Sequence, residues 1–121
     1  CGVRSITASS GPGISLKQEG MTTLSDEQLP AVVVNTVRYG NGIGTLLSAQ
    51  CDYLRETRGG GNGDYRCIVL CPDSIQEAVD LTVLAFDLAE KYRMVSVLMT
   101  EGALAQMMEP CELPEMREVT R

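Results

Sequence analysis

The chain contains no histidine. That absence removes the usual base for serine or cysteine nucleophilic catalysis. It also contains no Cys-x-x-Cys pair. Its cysteines stand at positions 1, 51, 67, 71 and 111, and only Cys67 and Cys71 are close, straddling Ile68-Val69-Leu70. A zinc or iron–sulfur centre built from this chain is therefore not expected. Reduced, mostly buried thiols in a cytoplasmic protein are the expectation instead. Long apolar runs are missing, and nothing approaches the ~20 residues of a membrane span. Positive charge is scarce: 10 Lys and Arg stand against 16 Asp and Glu, for a net charge of −6. With no long basic block, the balance argues against nucleic acid and anionic membrane as partners. There is no signal peptide, and the first residue is Cys1 rather than methionine. We therefore expect a piece of a longer protein.

What remains is ordinary globular material. The 121 residues are 44% hydrophobic and 21% charged, enough for one domain with a proper core. Residues 3–8 read as a strand and 14–28 as a helix with a polar end. Ala31-Val32-Val33-Val34-Asn35 is a continuous β-branched run, the mark of a strand covered on both faces and expected over 31–36. A glycine-bearing loop follows from Arg38 to Ala49, then a short helix over 50–57. Arg58-Gly59-Gly60-Gly61-Asn62-Gly63-Asp64 is loop. Residues 67–71 form the next strand. Ser74 and Glu77 fit a capping box that opens a helix ending near Tyr92. Residues 95–99 are a strand, 103–108 a short helix, and 109–121 a charged, proline-broken extended tail.

Strands alternating with helices predict an α/β fold: three layers, with a mostly parallel sheet and helices on both faces. Ligands bind such sheets at the carboxyl ends of the strands. The turn Ser9-Ser10-Gly11-Pro12-Gly13, the loop from Arg38 to Gly44 and the segment Thr100-Glu101-Gly102 should meet there. Loop 59–63 precedes a strand, so it should point to the opposite end unless it folds back. The Ser9–Gly13 turn either serves as a plain strand-to-helix connection or offers free N–H groups to a polar or anionic ligand. Arg38 either lies in solvent or holds a carboxylate by paired hydrogen bonds. Glu19 and Glu101 are candidate acids, but a helix-surface role explains Glu19 and a helix N-terminal role explains Glu101. Met107 and Met108 read as core or interface packing.

The run Thr7-Ala8-Ser9-Ser10-Gly11-Pro12-Gly13-Ile14-Ser15-Leu16-Lys17-Gln18-Glu19-Gly20 resembles the alpha subunit of 2-oxoacid:ferredoxin oxidoreductases. So do Leu29-Pro30-Ala31-Val32-Val33-Val34-Asn35 with Arg38, Ile68-Val69-Leu70, Ala85 to Arg93, and Gln106 to Pro110. The segment Gly59-Gly60-Gly61-Asn62-Gly63-Asp64-Tyr65-Arg66 is most similar to the branched-chain, 2-oxoisovalerate type. Two other readings stand beside this one. One is the pyrimidine domain of an acetolactate synthase-like thiamine enzyme. The other is a non-catalytic, flavodoxin-like assembly module.

The resemblance implies part of a thiamine diphosphate enzyme that oxidatively decarboxylates a 2-oxoacid with coenzyme A. The products are acyl-CoA, carbon dioxide and reduced ferredoxin. Residues 1–109 would be a partial pyrimidine-type domain and 110–121 a tail or linker. Ser10, Gly11 and Pro12 would lie against the aminopyrimidine, and Arg38 would meet the substrate carboxylate. The beta subunit would hold the diphosphate, the magnesium ion and, in many members, an iron–sulfur cluster. Gamma and delta subunits and self-association are further expected partners. The glutamate that activates the aminopyrimidine would lie upstream of this chain, so the chain alone should be inactive. Two departures stand out. Asn62 occupies a position where relatives carry histidine. Tyr39-Gly40-Asn41-Gly42-Ile43-Gly44 replaces a Gly-Gly-Pro-Ser-Thr-Gly loop.

Overall fold

A computed structural model describes residues 2–40 and 42–117. Cys1, Asn41 and residues 118–121 lie outside the described residues, and so does what the sequence suggested for them. The strands are β1 (Ile6–Ser9), β2 (Ala31–Val37), β3 (Ile68–Leu70) and β4 (Val95–Glu101). They form one parallel sheet in the order β1-β2-β4-β3. The helices are α1 (Pro12–Asp26), α2 (Tyr53–Arg58) and α3 (Ile75–Tyr92), followed by a 3-10 turn at Leu104–Gln106. No helix among the described residues is long and apolar enough to cross a membrane.

The sheet order follows from the apolar runs. β2 and β4 are buried almost throughout and take the centre. The less apolar β1 and the short β3 take the edges. The step from β1 to β2 and the step from β3 to β4 run in opposite directions across the sheet. Right-handed crossovers then place α1 and α3 on opposite faces. On the α1 face, Val33, Val37, Val95, Val97 and Met99 pack with Ile14, Met21 and Tyr65. On the other face, α3 turns the fully buried Ala85 and Ala89 toward the sheet, where Val32 and Ser96 are also fully buried. The expected three-layer α/β architecture is thus present, with every strand parallel.

Several boundaries differ from the sequence reading. β1 starts at Ile6 rather than at residue 3. α1 spans Pro12–Asp26 rather than 14–28, because proline is pre-set for the first helical position, where its missing N–H costs nothing. β2 and β4 run on to Val37 and Glu101, since their last residues pair with each other: Thr36 with Thr100 and Val37 with Glu101. The helix expected over 50–57 is Tyr53–Arg58. That expected over 103–108 is only the 3-10 turn.

The thiols are mostly not buried. Among the described cysteines, Cys51, Cys71 and Cys111 are exposed, and Cys67 alone packs against the core. Cys71 follows β3, an edge strand whose flanks are covered on one side only, while Cys51 lies in the turn before α2 and Cys111 in the irregular tail, outside the sheet. The described part of the tail has no regular structure and follows α3. The Gln76 side chain donates to the Glu112 carbonyl (3.1 Å) and accepts its N–H (2.7 Å), and Arg117 reaches Asp87 (2.9 Å).

Candidate functional site

Arg38 follows the last residue of β2. Its side chain lies down across the carboxyl edge of the sheet rather than projecting into water, and it is 9% exposed. Its Nε donates to Ser10 Oγ (3.3 Å) and its Nη1 to the Thr45 carbonyl (3.0 Å). Nη2 has no hydrogen bond among the described residues. Gly11 makes this placement possible. It has φ 49°, and a Cβ there would sit 2.5 Å from Arg38 Nη2. Gly102 closes the third side: its N–H donates to the Val37 carbonyl at 2.8 Å, and its added Cβ would lie 4.0 Å from Arg38 Cβ. The three segments predicted to converge therefore do so, around Arg38.

The turn itself is not an open anion cradle. Pro12 has no N–H, Gly13 N–H donates to the Ser10 carbonyl (3.1 Å), and Ile14 N–H donates to the Gly11 carbonyl (3.1 Å). These donors close the turn on itself, so free N–H groups at the start of α1 are not what this site offers. Positive charge comes from Arg38 instead. Ser10, Gly11 and Pro12 are each half-buried at the sheet edge, with Ser10 Oγ fixed by the arginine.

Below the arginine lies a polar cluster that sequence reading missed. Asn35 Nδ2 donates to Asp52 Oδ2 (3.1 Å) and to Glu56 Oε1 (3.0 Å). Arg55 bridges the same acids, with Nη2 2.6 Å from Asp52 Oδ2 and Nε 3.1 Å from Glu56 Oε1. Glu56 is 1% exposed. Burial pushes its carboxyl above the ordinary range, opposed by hydrogen bonds from Arg55 and Asn35. Glu56 Oε2 and Asn35 Oδ1 are buried without partners. One signal was available: Asn35 is a polar residue at the end of a run that reads as buried on both faces.

Loop 59–63 lies along the middle of α1 rather than at the far end of the sheet. Gly60 N–H donates to Tyr65 Oη (3.3 Å), Tyr65 Oη donates to Gln18 Oε1 (3.0 Å), and Asn62 N–H donates to Thr22 Oγ1 (3.3 Å). At Gly61, with φ 53°, an added Cβ would lie 2.7 Å from the Gln18 carbonyl, so only glycine lets the loop come this close. Glu19 is exposed on α1, away from this contact. Glu101 ends β4, half-buried beside Gly102. Met107 is half-exposed and Met108 is 96% exposed, so neither is core.

A protein-family profile for "Pyruvate flavodoxin/ferredoxin oxidoreductase, thiamine diP-bdg" matches residues 1–121. The chain belongs to this family. It is 53% identical over 114 residues to ketoisovalerate oxidoreductase subunit VorB of Methanothermobacter thermautotrophicus, covering 94% of this chain and 32% of the relative. It is 40% identical over 114 residues to 2-oxoglutarate synthase subunit KorA of the same organism, covering 94% of this chain and 30% of that relative. A solved structure of 2-oxoglutarate:ferredoxin oxidoreductase from Magnetococcus marinus, with 2-oxoglutarate, coenzyme A and succinyl-CoA bound, aligns with a TM-score of 0.79. It is 33% identical, and the match covers 84% of this chain and 18% of that one. The chain spans about a third of the length of the curated relatives it matches. Membership in this oxidoreductase family sets aside the acetolactate synthase-like and flavodoxin-like readings.

Proposed function

We propose that this chain is part of the alpha subunit of a thiamine diphosphate-dependent 2-oxoacid:ferredoxin oxidoreductase. The substrate is a branched-chain 2-oxoacid such as 2-oxoisovalerate, converted with coenzyme A to acyl-CoA, carbon dioxide and reduced ferredoxin. The observation that carries this reading is the 53% identity to the ketoisovalerate subunit across 94% of the chain. In this reading residues 1–109 are the pyrimidine-side domain and 110–121 the tail or linker. A beta subunit, with gamma and delta subunits where present, completes the enzyme in the cytoplasm. That partner contributes the sites for the diphosphate, magnesium and an iron–sulfur cluster.

The residues at the carboxyl edge fit the reading. Gly11 presents no side chain, and Pro12 adds a compact apolar ring beside it, a surface suited to a heteroaromatic ring. Ser10 adds one polar atom, held in place by Arg38 Nε at 3.3 Å. Bound there, thiamine diphosphate supplies the electron sink for decarboxylation, while the protein supplies orientation and electrostatics. Arg38 is the group we assign to the substrate carboxylate. Its backbone is fixed by the preceding buried strand, two of its nitrogens are anchored, and Nη2 is left for a ligand.

Steady-state kinetics of the assembled alpha–beta enzyme on 2-oxoisovalerate test the assignment. Arg38→Lys keeps the charge and loses the fork. It should lower kcat/KM about tenfold or more, from roughly 1.5–3 kcal/mol for a charged hydrogen bond. Arg38→Ala should lose more. An unchanged KM and turnover in Arg38→Ala would remove the arginine from the substrate site.

A further inference from the structure

Gly11, which backs the Arg38 guanidinium, and the Arg38 main chain are both tied to one buried cluster. On one side, Ser15 N–H and Ser15 Oγ reach the Gly11 carbonyl, at 3.2 and 3.5 Å. Arg55 Nη1 in turn donates to Ser15 Oγ at 3.2 Å. On the other side, the Cys51 thiol donates to the Arg38 carbonyl at 3.3 Å, one residue before Asp52. Arg55 and Asp52 are joined to each other, and both connect to Asn35 or Glu56, which are almost fully buried on and under β2. We propose that Arg55 and Glu56 are positioning residues for substrate binding: through Ser15 and Gly11 they hold the surface on which the Arg38 guanidinium rests.

The geometry favours this role over plain structural filling. α2 is only six residues long, too short to be stable on propensity alone. Its attachment to β2 is polar, although an apolar contact would cost less in a buried place. The guanidinium of Arg55 is spread across three separate partners: Asp52 at the N-cap of α2, Glu56 on α2 and Ser15 on α1. A fork used this way transmits position, because each contact restricts the plane of the other two. Glu56 holds the lower edge of that plane, and Gly11 lies at the upper end of the chain of contacts.

This inference rests on the assignment of Arg38 to the substrate carboxylate, so Arg38→Ala is measured beside it in the assembled alpha–beta enzyme. Arg55 is partly exposed, so Arg55→Met removes the bridge without opening the core. We expect KM for 2-oxoisovalerate to rise about fivefold or more while kcat stays within about twofold, since a loosened carboxylate anchor weakens ground-state and transition-state binding alike. Glu56→Ala should show the same split. Glu56→Gln keeps an acceptor for Asn35 and Arg55 and should recover most of the loss. A KM for Arg55→Met within about twofold of the parent, beside a raised KM in Arg38→Ala, overturns the positioning role and leaves the Arg38 assignment standing. A lowered melting temperature without a KM change does the same. An unchanged KM in Arg38→Ala overturns both.

Discussion

Arg38 and Gly11 occupy one space, which sets the cost of changing either. Gly11 sits at φ 49°, with the Arg38 Nη2 position 2.5 Å from any Cβ built there. Gly11→Ala therefore imposes backbone strain and a displaced guanidinium together. Strain of this kind costs on the order of 1–3 kcal/mol. Thermal unfolding of the variant should show a clear fall in midpoint, and an unaltered midpoint would mean the arginine does not rest on Gly11. Cys67 is the other residue with a sharp expectation. Burial, reinforced by the nearby Glu56 charge, pushes its thiol up to about 12. Because the folded value lies above the unfolded one, the stabilising contribution is present below the ordinary thiol value of 9.0 and is lost as pH rises toward 12. Iodoacetamide at pH 8 should label exposed Cys51 and Cys111 while Cys67 reacts roughly a hundredfold more slowly, as peptide mass spectrometry would show. Equal labelling would contradict its burial.

Among the elements, α2 depends most on charge. Its contact with the sheet passes through Asn35, Asp52, Arg55 and Glu56 rather than through an apolar stripe. Burial raises the Glu56 value in the folded chain above the ordinary 4.5. The folded state then binds more protons than the unfolded state over the interval between the two values. The stability Glu56 contributes is therefore complete below the unfolded value and declines as pH rises through the folded one. The groups facing it are Asp52 at the N-cap of α2, Arg55 on α2, Asn35 on β2, and Tyr65 and Cys67 before β3. Glu56→Gln should flatten that decline in a series of thermal melts from pH 4 upward. A parent protein whose stability is level across the same range would show that Glu56 ionises freely. α3 depends instead on its cap and packing: Ser74 Oγ accepts from Glu77 N–H at 3.1 Å, and Glu77 Oε2 accepts from Asp73 N–H at 2.8 Å.

For the whole molecule, the apolar groups left in water are the leading feature. Leu16 is 84% exposed, Leu46 73%, Leu47 68% and Met108 96%. Leu46 and Leu47 stand beside Thr45, whose carbonyl anchors Arg38, so apolar surface borders the proposed site. Such surface is normally covered by a partner. The isolated chain should therefore self-associate, with light scattering giving a concentration-dependent mass, and Leu46→Lys with Leu47→Ser should shift it toward the monomer. A monomeric parent chain at all concentrations would count against this expectation.

The sequence alone determined where the backbone can be strand and where it must turn. Ala31 to Val34 are apolar on successive residues, so they read as a strand covered on both faces, and Val95 to Met99, apolar but for Ser96, read as another strand. Ser74 with Glu77 marked the start of α3. Ser9 to Gly13 had to turn, and Arg38 had to follow a buried strand at the ligand edge. Each of these is a property of a short segment, written in its own periodicity. Only the tertiary structure decided what those segments do to one another. It laid Arg38 over Gly11, closed the Ser10 and Gly11 carbonyls on the first donors of α1, and drew loop 59–63 against Gln18 and Thr22. It buried Glu56 against Asn35, 21 positions away in the chain, and left three thiols in water. The physical reason is that burial of a polar or reactive group depends on strand order and on which helix covers which face. Periodicity within one segment carries no record of either.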